Sequence, residues 1–152
     1  MWALKILIKI FLKRLPFDYF FWKKLGIFKH GKMEDINYSQ KIFFPHMKAM
    51  RSINLCKNPT IIELGPGDSI SSAILAKVYN PRKIYLIDIG SFARKDIYFY
   101  KNFIRKLLKN NIDVGIDPDQ INTFDDLKSL CKAEYLTEGL TSFHKIKTSS
   151  VD

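Results

Sequence analysis

The sequence predicts an α/β fold, namely a partial Rossmann-like parallel sheet of about three strands with crossover helices, preceded by N-terminal helices. Two observations support this prediction. Short, continuous apolar runs occur at residues 60–64 and 83–90, and such runs are typical of strands buried on both faces. Segments with apolar residues at helical spacing alternate with these runs, as they do where crossover helices connect parallel strands.

Charge divides the chain into two regions. The 152 residues are 47% hydrophobic and 26% charged, a composition typical of a folded protein, and the net charge is +10. Residues 1–57 hold 12 Lys/Arg and 3 Asp/Glu, whereas residues 58–152 hold 13 and 12. We therefore predict a basic, aromatic-rich helical region at residues 1–57 and a Rossmann-like domain at residues 58–152.

The N-terminal region is predicted to be helical. The apolar runs at its start are interrupted by lysines at three positions: Lys5, Lys9 and Lys13. These charges exclude a signal peptide and a membrane-spanning helix. A helix with these lysines on one narrow face packs on an apolar partner or lies in a membrane interface, and both alternatives stay open for residues 1–14. A short helix is predicted at residues 17–29. Asp35 is the predicted N-cap of a further helix beginning at Ile36, and Pro45 either kinks this helix or restarts it as far as about Leu55.

Helices follow the first two strands of the second region. The helix after the first strand has apolar residues at helical spacing: Ile70, Ala73, Ile74 and Val78. The helix after the second strand has a longer apolar face: Ile97, Tyr100, Ile104, Leu107 and Leu108. Thr123 and Asp126 form a T-x-x-D capping box for a helix that reaches about Lys132. A third short strand is predicted at residues 135–137.

Two glycines follow the first strand, and an acidic residue ends the second. Gly65 and Gly67 allow a sharp turn and let a ligand touch the main chain. Asp88 lies about 20 residues further on, where a carboxylate can accept hydrogen bonds from a ribose diol. This unit predicts an adenosine site at the carboxyl ends of two parallel strands.

The loop itself favours a cationic ligand. Its third glycine position is occupied by Ile70, and the carboxylates of Glu63 and Asp68 would repel a pyrophosphate. The P-loop pattern G-x-x-x-x-G-K-[ST] is absent from the sequence. Negative charge around the loop instead favours a ligand that carries a sulfonium and an ammonium group.

These segments resemble a known enzyme family. IELGPGDS and IYLIDIGSFA are similar to motifs I and II of class I S-adenosylmethionine-dependent methyltransferases, and YLTEGLTSFHKIKTSSVD resembles the third strand and following loop of bacterial members. The resemblance covers about residues 28–152 and implies S-adenosyl-L-methionine as the cofactor. By this resemblance the cofactor-binding residues are Glu63, Gly65 and Gly67 at the methionine part, Asp88 at the ribose, Glu138 and Gly139 near the adenine, with Asp68 and Ile89 beside them.

The resemblance also implies an activity and a partner. Residues 58–152 correspond to the N-terminal half of a methyltransferase domain, which transfers a methyl group to a small-molecule or glycan acceptor. In similar proteins a fourth strand lies beside the first and carries the motif that faces the methyl group. We therefore expect a truncated chain that is inactive alone and pairs with a separately encoded C-terminal half. No catalytic residue can be named.

A second hypothesis is a non-catalytic remnant or binding module whose basic, amphipathic N-terminus contacts a membrane surface or a protein partner. Neither a metal site nor a disulfide is predicted, because the cysteines and histidines do not fall at ligand spacing: Cys56, Cys131, His30, His46 and His144. Nucleic acid is not the predicted partner, since the aromatic residues fall at core-like spacing. The predicted location is the cytoplasm, with peripheral membrane contact as the alternative.

Overall fold

The computed structural model describes residues 6, 7, 10, 11, 14, 33, 35–52 and 56–152. The chain divides into two compact units, Met1–Gly31 and Lys32–Asp152. The helical residues described in the first unit are Ile6, Leu7, Ile10 and Phe11. The helix predicted at residues 17–29 lies outside the described residues. Among the described residues, no helix combines the length and the hydropathy that a membrane span requires.

The second unit begins with helix α1, Ile36–Arg51. Asp35 is its N-cap, as predicted, and its carboxylate accepts a hydrogen bond of 2.8 Å from the Tyr38 N–H. The helix passes through Pro45, although this proline cannot donate a backbone hydrogen bond. It ends at Arg51, and the predicted end near Leu55 lies outside the described residues.

Three parallel strands form the sheet, which confirms the predicted fold class. They are β1, Thr60–Leu64, β2, Lys83–Ile87, and β3, Ala133–Leu136, in the order β1-β2-β3. The third strand begins before the predicted residues 135–137. Its early start has a local cause, because Lys132 adopts a left-handed φ of 54° that ends the preceding helix and lets the chain extend at once.

Helices connect the strands and differ from the prediction at their ends. Helix α2, Ser71–Ala76, tightens into a 3-10 turn, Lys77–Tyr79, so that Val78 is exposed rather than part of the apolar face. Helix α3, Ile97–Lys109, is capped by Asp96 and buries Tyr100, Phe103, Ile104 and Leu107. Leu108 lies at the margin of this face and is exposed, contrary to the prediction.

The predicted capping box is confirmed at helix α4, Phe124–Cys131. The Thr123 hydroxyl accepts from the Asp126 N–H at 3.1 Å, and the Asp126 carboxylate accepts from the Thr123 N–H at 2.8 Å. Two further 3-10 segments are Pro118–Gln120 and Gly139–Lys145. The second of them follows β3 directly and lies beside the carboxyl ends of the strands.

The core surrounds the sheet and fixes its strands. Fully buried side chains come from the strands and from the segments packed on them: Ile84, Leu86, Ile70, Ile74, Tyr100, Ile104, Leu107 and Leu127. Met47 of α1 also belongs to this core. Because burial of such side chains contributes about 1.5–3 kcal/mol each, the strand ends and the loops that leave them are held in defined positions.

Candidate functional site

Loops that follow the three strands meet at the carboxyl end of the sheet. The Gly65 N–H donates to the Ile87 carbonyl at 2.8 Å, which ties the first loop to β2. The Asp88 N–H donates to the Leu136 carbonyl at 2.9 Å, and the Gly139 N–H donates to the Asp88 carbonyl at 2.8 Å. These hydrogen bonds bring the segments around Gly65, Asp88 and Gly139 together, as the sequence predicts for the ends of parallel strands.

The turn after β1 depends on its glycines. Gly65 and Gly67 have φ values of 70° and 71°, in the left-handed region that other residues rarely adopt. A Cβ atom placed on Gly65 would meet no atom within 4 Å. Gly65 is therefore required for its backbone conformation and not for lack of space. The open space beside it lets a ligand approach the main chain.

Asp88 is the central polar group of this region, with an exposed fraction of 8%. Its Oδ2 accepts a hydrogen bond of 3.1 Å from the Gly67 N–H, and its Oδ1 accepts one of 2.8 Å from the Ile89 N–H. An ionised carboxylate has about four lone-pair sites, so these two bonds leave acceptor capacity. Asp88 thus holds the glycine turn and can still accept hydrogen bonds from a ligand.

Apolar side chains surround Asp88 and are exposed to solvent. They are Leu64, Ile89, Leu140 and Phe143, with exposed fractions of 64%, 80%, 84% and 40%. Together with Gly65, Ile87, Asp88 and Gly139, they line a cavity of about 180 Å³, which we call the Asp88 cavity. Clustered exposed apolar surface marks binding sites more often than chance. The cavity combines an apolar wall with one buried carboxylate.

Glu63 does not line the Asp88 cavity. Its side chain is partly buried and accepts a hydrogen bond from the Ser72 hydroxyl of α2. Burial raises the pKa of the Glu63 carboxyl, the Ser72 hydroxyl lowers it, and the charge of Asp88 raises it. Glu63 lines a second cavity of about 290 Å³ between α1 and β1, which we call the Glu63 cavity.

The remaining predicted residues take different positions. Asp68 is buried, with an exposed fraction of 3%, and its carbonyl accepts from the Arg94 N–H at 3.0 Å. Glu138 is exposed and forms a 2.6 Å ion pair with Lys145. The structure therefore brings Gly65, Asp88, Ile89 and Gly139 into one cavity, places Gly67 against Asp88, and leaves Glu63, Asp68 and Glu138 outside its lining.

Two tyrosines hold the loop after β2. The sequence predicted neither role, although it placed Tyr100 on the apolar face of its helix. The Tyr135 hydroxyl donates to the Gly90 carbonyl at 3.0 Å and accepts from the N–H groups of Phe92 and Ala93 at 3.0 and 3.3 Å. The Tyr100 hydroxyl donates to the Arg94 carbonyl at 2.8 Å. A tyrosine in a buried strand or helix usually directs its hydroxyl to a partner, which was the available signal.

The pKa of Tyr135 depends on its burial and on the charged groups of the site. Burial raises the pKa of its phenol, the amides of Ala93 and Phe92 lower it, and the charges of Asp88 and Asp68 raise it. The two carboxylates therefore lie close enough to act on the same hydroxyl.

Among the described residues there is no group of three or more His, Cys, Asp or Glu side chains able to hold a metal ion. The thiols of Cys56 and Cys131 are both free. Comparisons with models of protein families, with curated proteins and with solved structures gave no significant match.

Proposed function

We propose that this chain is the cofactor-binding part of an S-adenosylmethionine-dependent methyltransferase. The observation that carries the proposal is the Asp88 cavity, where a buried carboxylate at the end of β2 lies beside a glycine turn and an apolar wall. A nucleoside needs this combination, because its ribose donates hydrogen bonds and its base is a flat ring with apolar faces. When bound, the cofactor supplies a methyl group on a sulfonium.

The residues present fit such a ligand. Asp88 would accept hydrogen bonds from the ribose hydroxyls with the lone pairs that Gly67 and Ile89 leave free. Ile89, Leu140 and Phe143 would bury the faces of the adenine. Such a contact would explain why these apolar side chains are exposed in the absence of a ligand. The open space beside Gly65 would admit the chain that links the ribose to the sulfonium.

Charge favours this ligand over a dinucleotide. Glu63 and Asp88 interact electrostatically, and both charges act against a pyrophosphate and in favour of a sulfonium or ammonium. The acceptor of the methyl group, a small molecule or a glycan intermediate, remains a prediction. No side chain among the described residues can be assigned to the transfer itself, so catalytic residues are not proposed.

Isothermal titration calorimetry of the folded chain with S-adenosylhomocysteine and with NAD tests the proposal. We expect S-adenosylhomocysteine to bind more tightly. Asp88→Asn is expected to weaken this binding by at least about 10-fold, since hydrogen bonds to a charged group contribute about 1.5–3 kcal/mol and 1.4 kcal/mol is one decade in affinity. Asp113→Asn is the matched control, because its carboxylate also accepts from a loop amide, that of Gly115, at 2.7 Å and is exposed.

Three results would contradict the proposal. One is tighter binding of NAD than of S-adenosylhomocysteine. Another is an Asp88→Asn protein with a native circular dichroism spectrum and unchanged affinity, which would make Asp88 only a support for the Gly67 turn. The third is a folded chain that binds neither ligand, which would favour the alternative of a non-catalytic module.

A further inference from the structure

A third cavity lies at the amino ends of β1 and β2, at the opposite end of these strands from the Asp88 cavity. Its volume is about 610 Å³, which lies within the usual range of about 300–1,000 Å³ for small-molecule sites. We call it the amino-end pocket. Its lining combines basic side chains, an aromatic ring and a turn with hydroxyl groups: Arg82, Lys83, Lys147, Tyr85 and residues 148–150.

The pocket brings together segments that are far apart in the sequence. Thr60 and Lys83 are the first residues of β1 and β2 and pair with each other in the sheet. Asp152 ties the segment that contains residues 147–150 to β1. Its N–H donates to the Thr60 carbonyl at 3.1 Å, and its Oδ2 accepts from the Thr60 N–H at 2.8 Å. Hydrogen bonds of the backbone therefore fix the turn beside the strand ends.

The charged side chains that line the pocket are all basic. They are Arg82, Lys83 and Lys147, and no Asp or Glu side chain of the described residues lines it. Residues 58–152 hold 13 Lys/Arg and 12 Asp/Glu, so this excess of positive charge is local and does not follow from a basic domain. Cations that share a cavity repel one another, and an anion bound between them relieves this repulsion.

Two of these cations have donors available for a ligand. Lys147 is exposed, and its ammonium group forms no ion pair or hydrogen bond within the described residues. Nε of Arg82 donates to Oγ1 of Thr60 at 3.2 Å, which orients the guanidinium. Nη2 of Arg82 lies 3.8 Å from Oδ2 of Asp152, beyond the distance of a hydrogen bond. The terminal nitrogens of Arg82 can therefore donate to two oxygens of a phosphate.

The turn beside these cations adds neutral donors. Ser149 has a φ of 56°, and the Ser150 hydroxyl donates to the Lys147 carbonyl at the other side of the turn. Among the described residues, no acceptor pairs with the N–H groups of residues 148–150. These amides and the hydroxyls of Thr148 and Ser149 can therefore donate to an anion.

Tyr85 gives the pocket an aromatic surface. Ile84 and Leu86 are buried on one face of β2, so Lys83 and Tyr85 lie on the other face, because side chains alternate along a strand. Tyr85 is half-buried, and Nζ of Lys83 lies 5.5 Å from the centre of its ring. The ring can therefore contact the carbon part of a ligand whose anionic group is bound by the cations.

We propose that the amino-end pocket binds a soluble phosphomonoester, with its phosphate at Arg82 and Lys147 and its carbon part on the Tyr85 ring. A dianionic phosphate matches several cations better than a carboxylate does, and its oxygens accept the bidentate hydrogen bonds that a guanidinium donates. A volume of about 610 Å³ leaves room for more than the phosphate group. The pocket is separate from the Asp88 cavity, so this proposal does not depend on the proposed cofactor.

Phenyl phosphate is the probe, and the amide chemical shifts of the isotope-labelled chain report its binding. We expect saturable shifts at residues 82–85 and 147–150 and little change at Asp88 and Gly139. Phenol lacks the phosphate, and inorganic phosphate lacks the ring. Each is therefore expected to bind at least about 3-fold more weakly than phenyl phosphate. Inorganic phosphate that binds as tightly as phenyl phosphate would overturn the proposed contact with Tyr85.

Lys147 and Lys145 allow a matched pair of variants. Lys147→Gln removes a charge from the pocket and is expected to weaken the binding of phenyl phosphate by at least about 3-fold. Combined with Arg82→Gln, the loss is expected to be at least about 10-fold. Lys145→Gln removes the same charge from a lysine that pairs with Glu138 at 2.6 Å and does not line the pocket, so it is expected to change the affinity little. Tyr85→Phe keeps the ring and should bind normally, whereas Tyr85→Leu should bind more weakly.

A lipid headgroup is the other source of a phosphomonoester. Sedimentation with phosphatidylcholine vesicles that contain phosphatidic acid distinguishes the two sources. We expect the unmodified chain to bind phenyl phosphate and not to depend on Lys147 for any binding to these vesicles. Vesicle binding that is lost in Lys147→Gln, without shifts caused by phenyl phosphate, would overturn the proposal of a soluble ligand.

Two further outcomes would overturn the site itself. One is the absence of saturable shifts at residues 82–85 and 147–150 in the unmodified chain. The other is an equal loss of affinity in Lys145→Gln and Lys147→Gln, which would show a general effect of charge. The first measurement uses the unmodified chain, so it decides the proposal even where Arg82→Gln fails to fold. Because phenyl phosphate contains neither a ribose nor a sulfonium, failure here is distinguishable from failure of the proposed methyltransferase function.

Discussion

Replacing Glu63 by glutamine is expected to stabilise the fold at neutral pH. The Glu63 carboxyl is partly buried beside an apolar cavity, and within the described residues it forms no ion pair. Burial and the charge of Asp88 raise its pKa above the ordinary value of 4.5, against the lowering by Ser72. A glutamine side chain keeps the acceptor for the Ser72 hydroxyl and removes the buried charge.

The sign and size of the expected change in stability follow from proton linkage. Because the folded-state pKa of Glu63 is above the unfolded value, its contribution to stability is fully present below pH 4.5 and is lost as the pH rises through the folded pKa. The loss is at most about 1.4 kcal/mol per pH unit for one proton. The free energy of unfolding of Glu63→Gln should therefore depend less on pH. At neutral pH it should be larger than that of the unmodified chain.

Urea unfolding followed by circular dichroism between about pH 4 and about pH 8 measures this effect. Glu138→Gln is the control, since Glu138 is exposed and its ion pair with Lys145 is a surface contact worth about 0–1 kcal/mol. Glu138→Gln is expected to be slightly less stable than the unmodified chain, whereas Glu63→Gln is expected to be more stable. Identical pH profiles for Glu63→Gln and the unmodified chain, or a less stable Glu63→Gln at neutral pH, would refute the reasoning.

Other changes have separate physical reasons. Tyr135→Phe removes a hydroxyl with three hydrogen bonds to the loop after β2 and should cost about 1–3 kcal/mol in urea unfolding; an unchanged midpoint would count against that role. Thr123→Ala removes the α4 N-cap and should cost about 1 kcal/mol, with Thr123→Ser close to the unmodified chain. Burial raises the pKa of Cys131 to about 12, so iodoacetamide should modify it at least about 10-fold more slowly than Cys56 by mass spectrometry; equal rates would contradict its burial.

Local rules account for the parts of the fold that the sequence predicted correctly. The caps at Asp35 and Thr123 depend on residues within one helical turn, so the sequence shows them directly. The apolar runs correctly identify β1 and β2 as strands of a parallel sheet. The expectation that β1 is buried along its whole length was wrong, because β1 lies at the edge of the sheet and Leu64 is exposed. Gly65 and Gly67 likewise identify a turn with positive φ.

Local helix geometry and contacts between distant segments account for what the sequence did not predict. Val78 has the correct spacing for the apolar face, but the helix tightens before it and leaves it exposed. Tyr135 meets Gly90 across 45 residues, and no local pattern specifies that pairing. The separation of Glu63 from the Asp88 cavity has the same origin, since the partner of Glu63, Ser72, lies on α2. The packing of residues 1–14, the cytoplasmic location and the acceptor stay predictions.

Leu64 lines both the Asp88 cavity and the Glu63 cavity, because it is the last residue of β1. Its side chain is 64% exposed, so a nucleoside bound beside Asp88 would remove part of it from water. Leu64→Ala is therefore expected to weaken the binding of S-adenosylhomocysteine by about 4-fold or more, since one buried methylene contributes about 0.8 kcal/mol. Isothermal titration calorimetry measures the change, and an unchanged affinity would show that this side chain does not form a wall of the ligand site.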